Sequence, residues 1–159
     1  MTTTITPFLW FDDQAEEAAA LYTSIFNGSI TGEARWGPGA PFPEGSIMSV
    51  TFELAGGRFE AFNGGPDHPF TDSFSISVTV DTQDEVDDAW DRLLEGGGRP
   101  VACGWLCDRF GLSWQIVPKE MGELLSDPDP ERARRAMQAM MQMVKIDVAA
   151  LRAAADGAA

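Results

Sequence analysis

The sequence predicts an α+β fold built from two related modules, each a strand, a helix and further strands, followed by C-terminal helices. Three observations predict it. An internal repeat at an offset of 69 aligns Asp12 with Asp81, Gln14 with Gln83, Glu16 with Glu85, Ala20 with Ala89 and Gly28 with Gly97. Apolar positions follow the same offset, Leu21 with Trp90 and Ile25 with Leu94. A strand that feeds an acid-capped helix then stands at the same place in both copies. The third observation is Asp129-Pro130, after which the chain turns helical, with Pro130 at the first helical position. The expected organisation is one domain over 1–159, with module 1 at about 5–65, module 2 at about 72–118 and a helical extension at about 119–156.

The elements follow in order. Thr6–Phe11 is rich in apolar and aromatic residues, as strands are. Asp13-Gln14-Ala15-Glu16 reads as a capping box with Asp13 as N-cap. Its helix runs to about Phe26, with Ala18, Leu21, Tyr22, Ile25 and Phe26 as the apolar stripe, and Asn27-Gly28 ends it. Gly28–Trp36, Ser46–Leu54 and Arg58–Asn63 read as strands, Gly37–Pro43 as a loop, and Ala55-Gly56-Gly57 as a tight hairpin turn. Ser73–Val80 alternates polar and apolar residues, the mark of a half-buried strand. Thr82-Gln83-Asp84-Glu85 is a capping box; its helix carries Val86, Ala89, Trp90, Leu93 and Leu94 and stops at Gly96-Gly97-Gly98. Strands are expected near Arg99–Leu106 and Ser113–Val117, with a turn at Arg109-Phe110-Gly111. In the helix from Pro130, Met137, Met140, Met141 and Val144 follow a 3, 4, 7 spacing. A short helix is expected at Asp147–Ala155, with a fraying Ala-rich tail.

Composition narrows the function. The chain has 159 residues, 44% of them hydrophobic, so a core is within reach; 25 acidic against 11 basic side chains give a net charge of −14. Nucleic acid is an unsuitable partner, because that affinity comes from Lys and Arg on phosphates. Anionic membrane surfaces are excluded on the same ground, and no apolar run approaches the roughly 20 residues of a membrane helix. Met1–Thr6 lacks a basic stretch followed by an apolar one, so no signal peptide is expected. Cys103 and Cys107, four apart, would lie about 13 Å apart on one strand, beyond the roughly 7 Å reach of a disulfide. Free thiols and a cytoplasmic setting are expected.

The segment Cys103-Gly104-Trp105-Leu106-Cys107-Asp108-Arg109-Phe110-Gly111-Leu112-Ser113-Trp114-Gln115-Ile116-Val117-Pro118 resembles the PhnB-like branch of the vicinal oxygen chelate (glyoxalase/bleomycin-resistance/dioxygenase) superfamily. That branch carries the label 3-demethylubiquinone-9 3-methyltransferase. Pro7–Phe11, Ala15-Glu16-Glu17-Ala18, Asn63-Gly64-Gly65-Pro66 and Met140–Asp147 resemble it too. The resemblance implies tandem βαβββ modules forming a curled mixed sheet, with helices outside and a ligand cavity inside, and a homodimer. In the second module Phe74, Ile76, Val78 and Val80 would face the helix, and Ser75, Ser77 and Thr79 the cavity. By the offset, Thr6, Phe8 and Trp10 would face the cavity in the first. The competing reading is that Phe8 and Trp10 only fill the core.

Metal-dependent members of the superfamily place His on each module's opening strand and Glu near the module ends. By that resemblance the second-module His corresponds to Ser75, its repeat partner to Thr6, and the terminal Glu to Gln115. Hydroxyls and an amide are poor ligands for a catalytic ion; Glu60 is the acidic candidate left, so Glu60 and Gln115 are the weak metal candidates. His68, the one histidine, lies in a loop sequence, Gly64–Pro69, and reads as solvated. Gly96-Gly97-Gly98 ends a helix rather than opening one, unlike a nucleotide loop, so the methyltransferase label has no sequence mechanism behind it. Cys103 and Cys107 lack a local His for nucleophilic catalysis. Asp12, Asp13, Glu16, Glu17, Asp81, Asp84 and Glu85 sit at helix starts, where acids oppose the dipole, and Asp87, Asp88 and Asp91 read as a solvated face. Arg132, Arg134 and Arg135 share the Met-rich helix, which either packs on its own domain or serves as a dimer contact or lid.

These readings converge on a metal-free small-molecule-binding protein with no predicted cofactor. Its ligand would be lined by Phe8, Trp10, Phe62, Asn63, Ser75, Trp105 and Gln115. The alternative is an enzyme of the same superfamily: a metal-assisted lyase, isomerase or dioxygenase, or the methyltransferase of the label.

Overall fold

In each module a short strand hands the chain to a helix, and three strands return beneath it. The computed structural model describes residues 3–158. Met1 and Thr2 of the opening stretch, and Ala159 of the tail, lie outside them. The chain divides into two units between Phe70 and Thr71.

The first unit holds β1 (Phe8–Phe11), α1 (Ala15–Ile25), β2 (Ser29–Arg35), β3 (Ile47–Leu54) and β4 (Gly57–Asn63), with sheet order β1-β4-β3-β2. β1 runs parallel to β4, while β3 is antiparallel to both its neighbours. Alternation puts Leu9, Phe11, Val50, Phe52, Leu54 and Ala61 on one face. Ala15, Ala18, Ala19, Tyr22 and Ile25 of α1 bury against that face. The β3–β4 turn is Ala55-Gly56, both with positive φ (47° and 81°), the primed geometry that matches strand twist. A Cβ on Gly28 would lie 2.1 Å from the Glu53 carbonyl oxygen, so only glycine lets α1 pass into β2.

The second unit repeats this plan with β5 (Ser75–Val80), α2 (Gln83–Leu94), β6 (Arg99–Pro100), β7 (Trp105–Cys107) and β8 (Ser113–Pro118), ordered β5-β8-β7-β6. β5 is parallel to β8. Both modules are therefore βαβββ, and the mixed sheet consists of two four-stranded sheets of identical strand order. The capping box of α2 forms as expected: Thr82 Oγ1 accepts from Glu85 N–H, and Glu85 accepts from Thr82 N–H at 2.9 Å. The Thr82 and Asp81 amides hold the Glu85 carboxyl below its ordinary pKa.

Several expectations are corrected. α1 begins at Ala15 with Gln14 as N-cap, and no cap side chain is local; Asp13 does not cap it. A side chain from the sheet takes that amide instead, as described below. β5 starts at Ser75, and Phe74, expected under the helix, is 46% exposed in the preceding turn. The strand expected over Arg99–Leu106 breaks into β6 and β7, because Cys103 (φ 54°) and Gly104 (φ 83°) reverse the chain. Cys103 and Cys107 thus do not share a strand; both are free thiols. The reversed turn is stitched to the C-terminal segment, with Cys103 N–H donating to Met143 O and Gly104 N–H to Val144 O, each at 2.8 Å.

Beyond β8 come α3 (Lys119–Leu125), α4 (Pro130–Met140) and α5 (Val148–Asp156). α3 follows β8 directly with Pro118 as N-cap and no capping side chain, so it lacks the usual start signal. The three helices share a core of Met121, Leu124, Ala136, Ile146, Leu151 and Ala155. The Met stripe is rotated from the expected one. Ala136, Ala139, Met140 and Met143 turn inward, whereas Met137, Met141 (62%) and Val144 are exposed and α4 ends at Met140. The arginines of α4 serve local structure. Arg132 pairs with Asp127 and Asp156, Arg134 with Glu131, and Arg135 donates to the Ala155 carbonyl near the end of α5.

Asp108 fixes the turn between β7 and β8. Its carboxylate, 3% exposed, accepts from Phe110 N–H (2.9 Å), Leu112 N–H (3.0 Å) and Trp114 Nε1–H (2.9 Å). Replacing it with Ala strands three donors in the interior, at about 1–3 kcal/mol for each group left unmet. Asp108→Ala is therefore expected to lower stability to urea by about 3 kcal/mol or more. Asp108→Asn, which keeps one acceptor oxygen, should lose clearly less; equal losses would contradict this role.

Candidate functional site

The face of the first sheet turned away from α1 is aromatic. Phe8 and Trp10 alternate with the buried Leu9 and Phe11, and the parallel register sets Phe8 beside Glu60 and Trp10 beside Phe62. The three predicted aromatic residues meet: ring centroids lie 5.4 Å apart for Phe8 and Phe62, and 5.0 Å apart, edge to face, for Trp10 and Phe62. Phe8 remains 56% exposed, so it is not core filling. Trp10 Nε1 donates to the Gly65 carbonyl at 2.9 Å. A Cβ on Gly64 would lie 2.1 Å from the Trp10 ring. The Gly64-Gly65 pair is thus what allows the indole to lie where it does.

Sequence reasoning misses two members of this cluster. His68 packs against Trp10, centroids 4.7 Å apart and nearly perpendicular, while staying exposed. Trp36 lies 5.9 Å from Phe62. Neither has a local pattern; a lone aromatic at a strand end beside a Gly-Pro loop was the only signal for Trp36.

Asn63 departs from its expected role. It follows Phe62 in the strand and so points to the opposite face, where it is 8% exposed. Its Oδ1 accepts from Ala15 N–H at 2.8 Å, and its Nδ2 donates to the Ile47 carbonyl at 3.1 Å. It caps α1 from the end of β4 and ties down the start of β3. Both ends of its amide are committed to backbone, away from the aromatic face.

The face of the second sheet turned away from α2 is largely polar. Ser75 and Ser77 alternate with Ile76 and Val78, which lie beside the buried Trp114 and Ile116 of β8. Gln115 Nε2 donates to Ser75 Oγ at 3.0 Å, and Trp105 pairs with Gln115 in the β7–β8 register. Ser75, Trp105 and Gln115 therefore come together. That hydrogen bond leaves the Gln115 carbonyl oxygen as an acceptor and the Ser75 hydroxyl as a donor.

These groups do not fit a catalytic divalent ion. By the resemblance, the imidazole and carboxylate of metal-dependent members would correspond to Ser75 and Gln115, which here are bonded to each other. Among the described residues no group of three His, Cys, Asp or Glu could hold a metal. S-adenosylmethionine is not matched either: Gly96-Gly97-Gly98 follows α2, with Gly98 N–H returning to the Leu94 carbonyl as a helix end. The Cys107 thiol is not an activated nucleophile. Burial pushes the Cys107 thiol above its ordinary pKa, although Arg99 opposes the shift.

The family model described as 3-demethylubiquinone-9 3-methyltransferase matches residues 3–117. No curated protein matches the chain. Among solved structures, a Bacillus cereus PhnB protein bearing the same 3-demethylubiquinone-9 3-methyltransferase description is 32% identical, with TM-score 0.66, over 73% of this chain and 99% of that one. A Pseudomonas aeruginosa protein is 24% identical, with TM-score 0.61, over 74% and 98%. The fosfomycin resistance protein FosX from Listeria monocytogenes, crystallised with Mn(II) and sulfate, is 16% identical, with TM-score 0.54, over 79% and 96%. It shares the fold.

The two faces of the first sheet predict opposite mutational behaviour. Asn63→Leu leaves the Ala15 amide and the Ile47 carbonyl without this partner and should cost about 2 kcal/mol in chemical denaturation. Phe8→Ala, on the exposed face, should change stability by no more than about 0.5 kcal/mol. A neutral Asn63→Leu would contradict the capping role.

Proposed function

The chain belongs to the 3-demethylubiquinone-9 3-methyltransferase family, the PhnB-like branch of the vicinal oxygen chelate superfamily, and on that footing we propose that it binds a small organic molecule without a catalytic metal. The observation that carries this reading is the aromatic face of the first sheet turned away from α1, where Phe8, Trp10 and Phe62 touch and Phe8 stays more than half exposed. Aromatic side chains left in contact with solvent on a sheet face supply large, rigid contact area for a planar or apolar ligand. On the second sheet, Ser75 and Gln115 offer one donor and one acceptor, with Trp105 beside them, as a polar ligand surface. Binding on the aromatic face is dispersion and desolvation of the rings.

The methyltransferase name is a family name on this reading. The rival, a metal-assisted enzyme, would need Glu60 and Gln115 as ligands, and no feature of their surroundings favours it. Two free thiols support a reducing compartment, and we read the protein as cytoplasmic.

Thermal unfolding against a panel of hydroxylated aromatic compounds tests the proposal. A binder at a hundredfold excess over its Kd stabilises by about 2.7 kcal/mol, a shift of several degrees. The unfolding temperature should rise in the wild type and stay unchanged in Trp10→Ala, which must first unfold cooperatively on its own. Binding that persists in Trp10→Ala, or that appears only after adding Mn(II) or Zn(II), would overturn it.

A further inference from the structure

We propose that a second site, in a cleft between the start of α1 and the Trp36–Ser46 loop, takes a small organic cation, an ammonium group carried on a compact apolar body. The cleft measures about 460 Å³, the size of a small-molecule site. It lies wholly in the first unit, shares Trp36 with the aromatic cluster and is also lined by Asn63, but uses none of Phe8, Trp10 and Phe62.

Its chemistry has two parts. One wall is apolar: Trp36 and Phe42 stack with centroids 4.8 Å apart and planes 25° apart, and Ile47 adjoins them. The other side carries Asp12, Asp13 and Glu16, and no Lys, Arg or His lines the cleft. None of the three carboxylates makes a side-chain hydrogen bond or ion pair within the described residues. Aromatic faces beside uncompensated carboxylates attract a cation twice, through the ring quadrupole and through the full negative charges.

The bland explanation for these acids is the helix dipole. It accounts for their presence at the start of α1, but the end of a helix amounts to roughly half a positive charge. Three carboxylates exceed it, so the rim stays negative. The Ala15 amide there is already satisfied by Asn63. A metal ion is the wrong occupant, since among the described residues no three such groups converge on a point. Spread charge beside a flat apolar wall suits a diffuse cation such as a quaternary ammonium. A separate sign comes from the same wall. Trp36 Nε1–H is closed off from water and has no acceptor among the described residues.

Choline and its uncharged isostere 3,3-dimethylbutan-1-ol test this, with the Trp36 indole and Ala15 amide followed by NMR on the full chain. Choline is expected to shift both signals saturably, and the isostere to leave them in place at equal concentration. Asp12→Asn and Glu16→Gln, exposed neutral substitutions, should each weaken choline by about fivefold, and Phe42→Ala should weaken it with the carboxylates intact. Amide spectra of each variant report folding independently of binding. Equal response to both probes would show a merely apolar cleft. No response to choline, or a response unchanged in the carboxylate variants, would overturn the proposal.

Discussion

Each module depends on one constraint: a helix covers only one face of its sheet. Side chains along a strand alternate between faces, so once α1 lies on Leu9, Phe11 and Ala61, the intervening Phe8, Trp10 and Phe62 have to stand on the other face. The same holds where Ile76 and Val78 align with Trp114 and Ile116, leaving Ser75, Ser77 and Gln115 opposite. The parallel pairs β1–β4 and β5–β8 carry this constraint, because a slip of one residue would exchange the two faces. Buried polar side chains guard against it. Asn63 locks the end of β4 to α1 and β3, and Asp108 locks the turn that sets β7 against β8.

The two modules solve the same problem with different residues. α2 caps itself through Thr82 and Glu85. α1 borrows its cap from the sheet. Local capping needs nothing beyond the helix, whereas a cap from β4 couples helix formation to sheet formation. Gln83 adds a further tie in the second unit: its amide donates to the Ile146 carbonyl and accepts from Val148 N–H, while Lys145 pairs with Asp87. That ion pair holds the Asp87 carboxyl below its ordinary pKa. The C-terminal segment is thereby fastened to α2 as well as to the Cys103-Gly104 turn.

What the sequence made legible was whatever is written locally. The repeat, the alternation of β5, the Thr82 box and Pro130 are patterns within a few residues, and they appear as read. The departures are long-range. Asp13 looked like a cap because nothing local announces that Asn63, 48 residues on, takes the amide. Arg99–Leu106 looked like one strand because a non-glycine residue, Cys103, accepts a left-handed backbone. The Met stripe was one position out because Ala136, too small to stand out, is the buried residue. The strand period made legible that Phe8, Trp10 and Phe62 share one face, and that Ser75, Trp105 and Gln115 share another. Asn63 was assigned to the wrong face, and His68 and Trp36 came in through loops, where no periodicity operates.

On the proposed reading no divalent ion is held at Ser75 and Gln115, whose neutral side chains bond to each other, or at Glu60. A crystal structure of the protein grown with Mn(II), with anomalous scattering recorded, tests it most directly. The account predicts no anomalous peak at Gln115 or Glu60 and an intact Gln115–Ser75 hydrogen bond. A manganese ion coordinated by Gln115 or Glu60, with Gln115 turned away from Ser75, would contradict it.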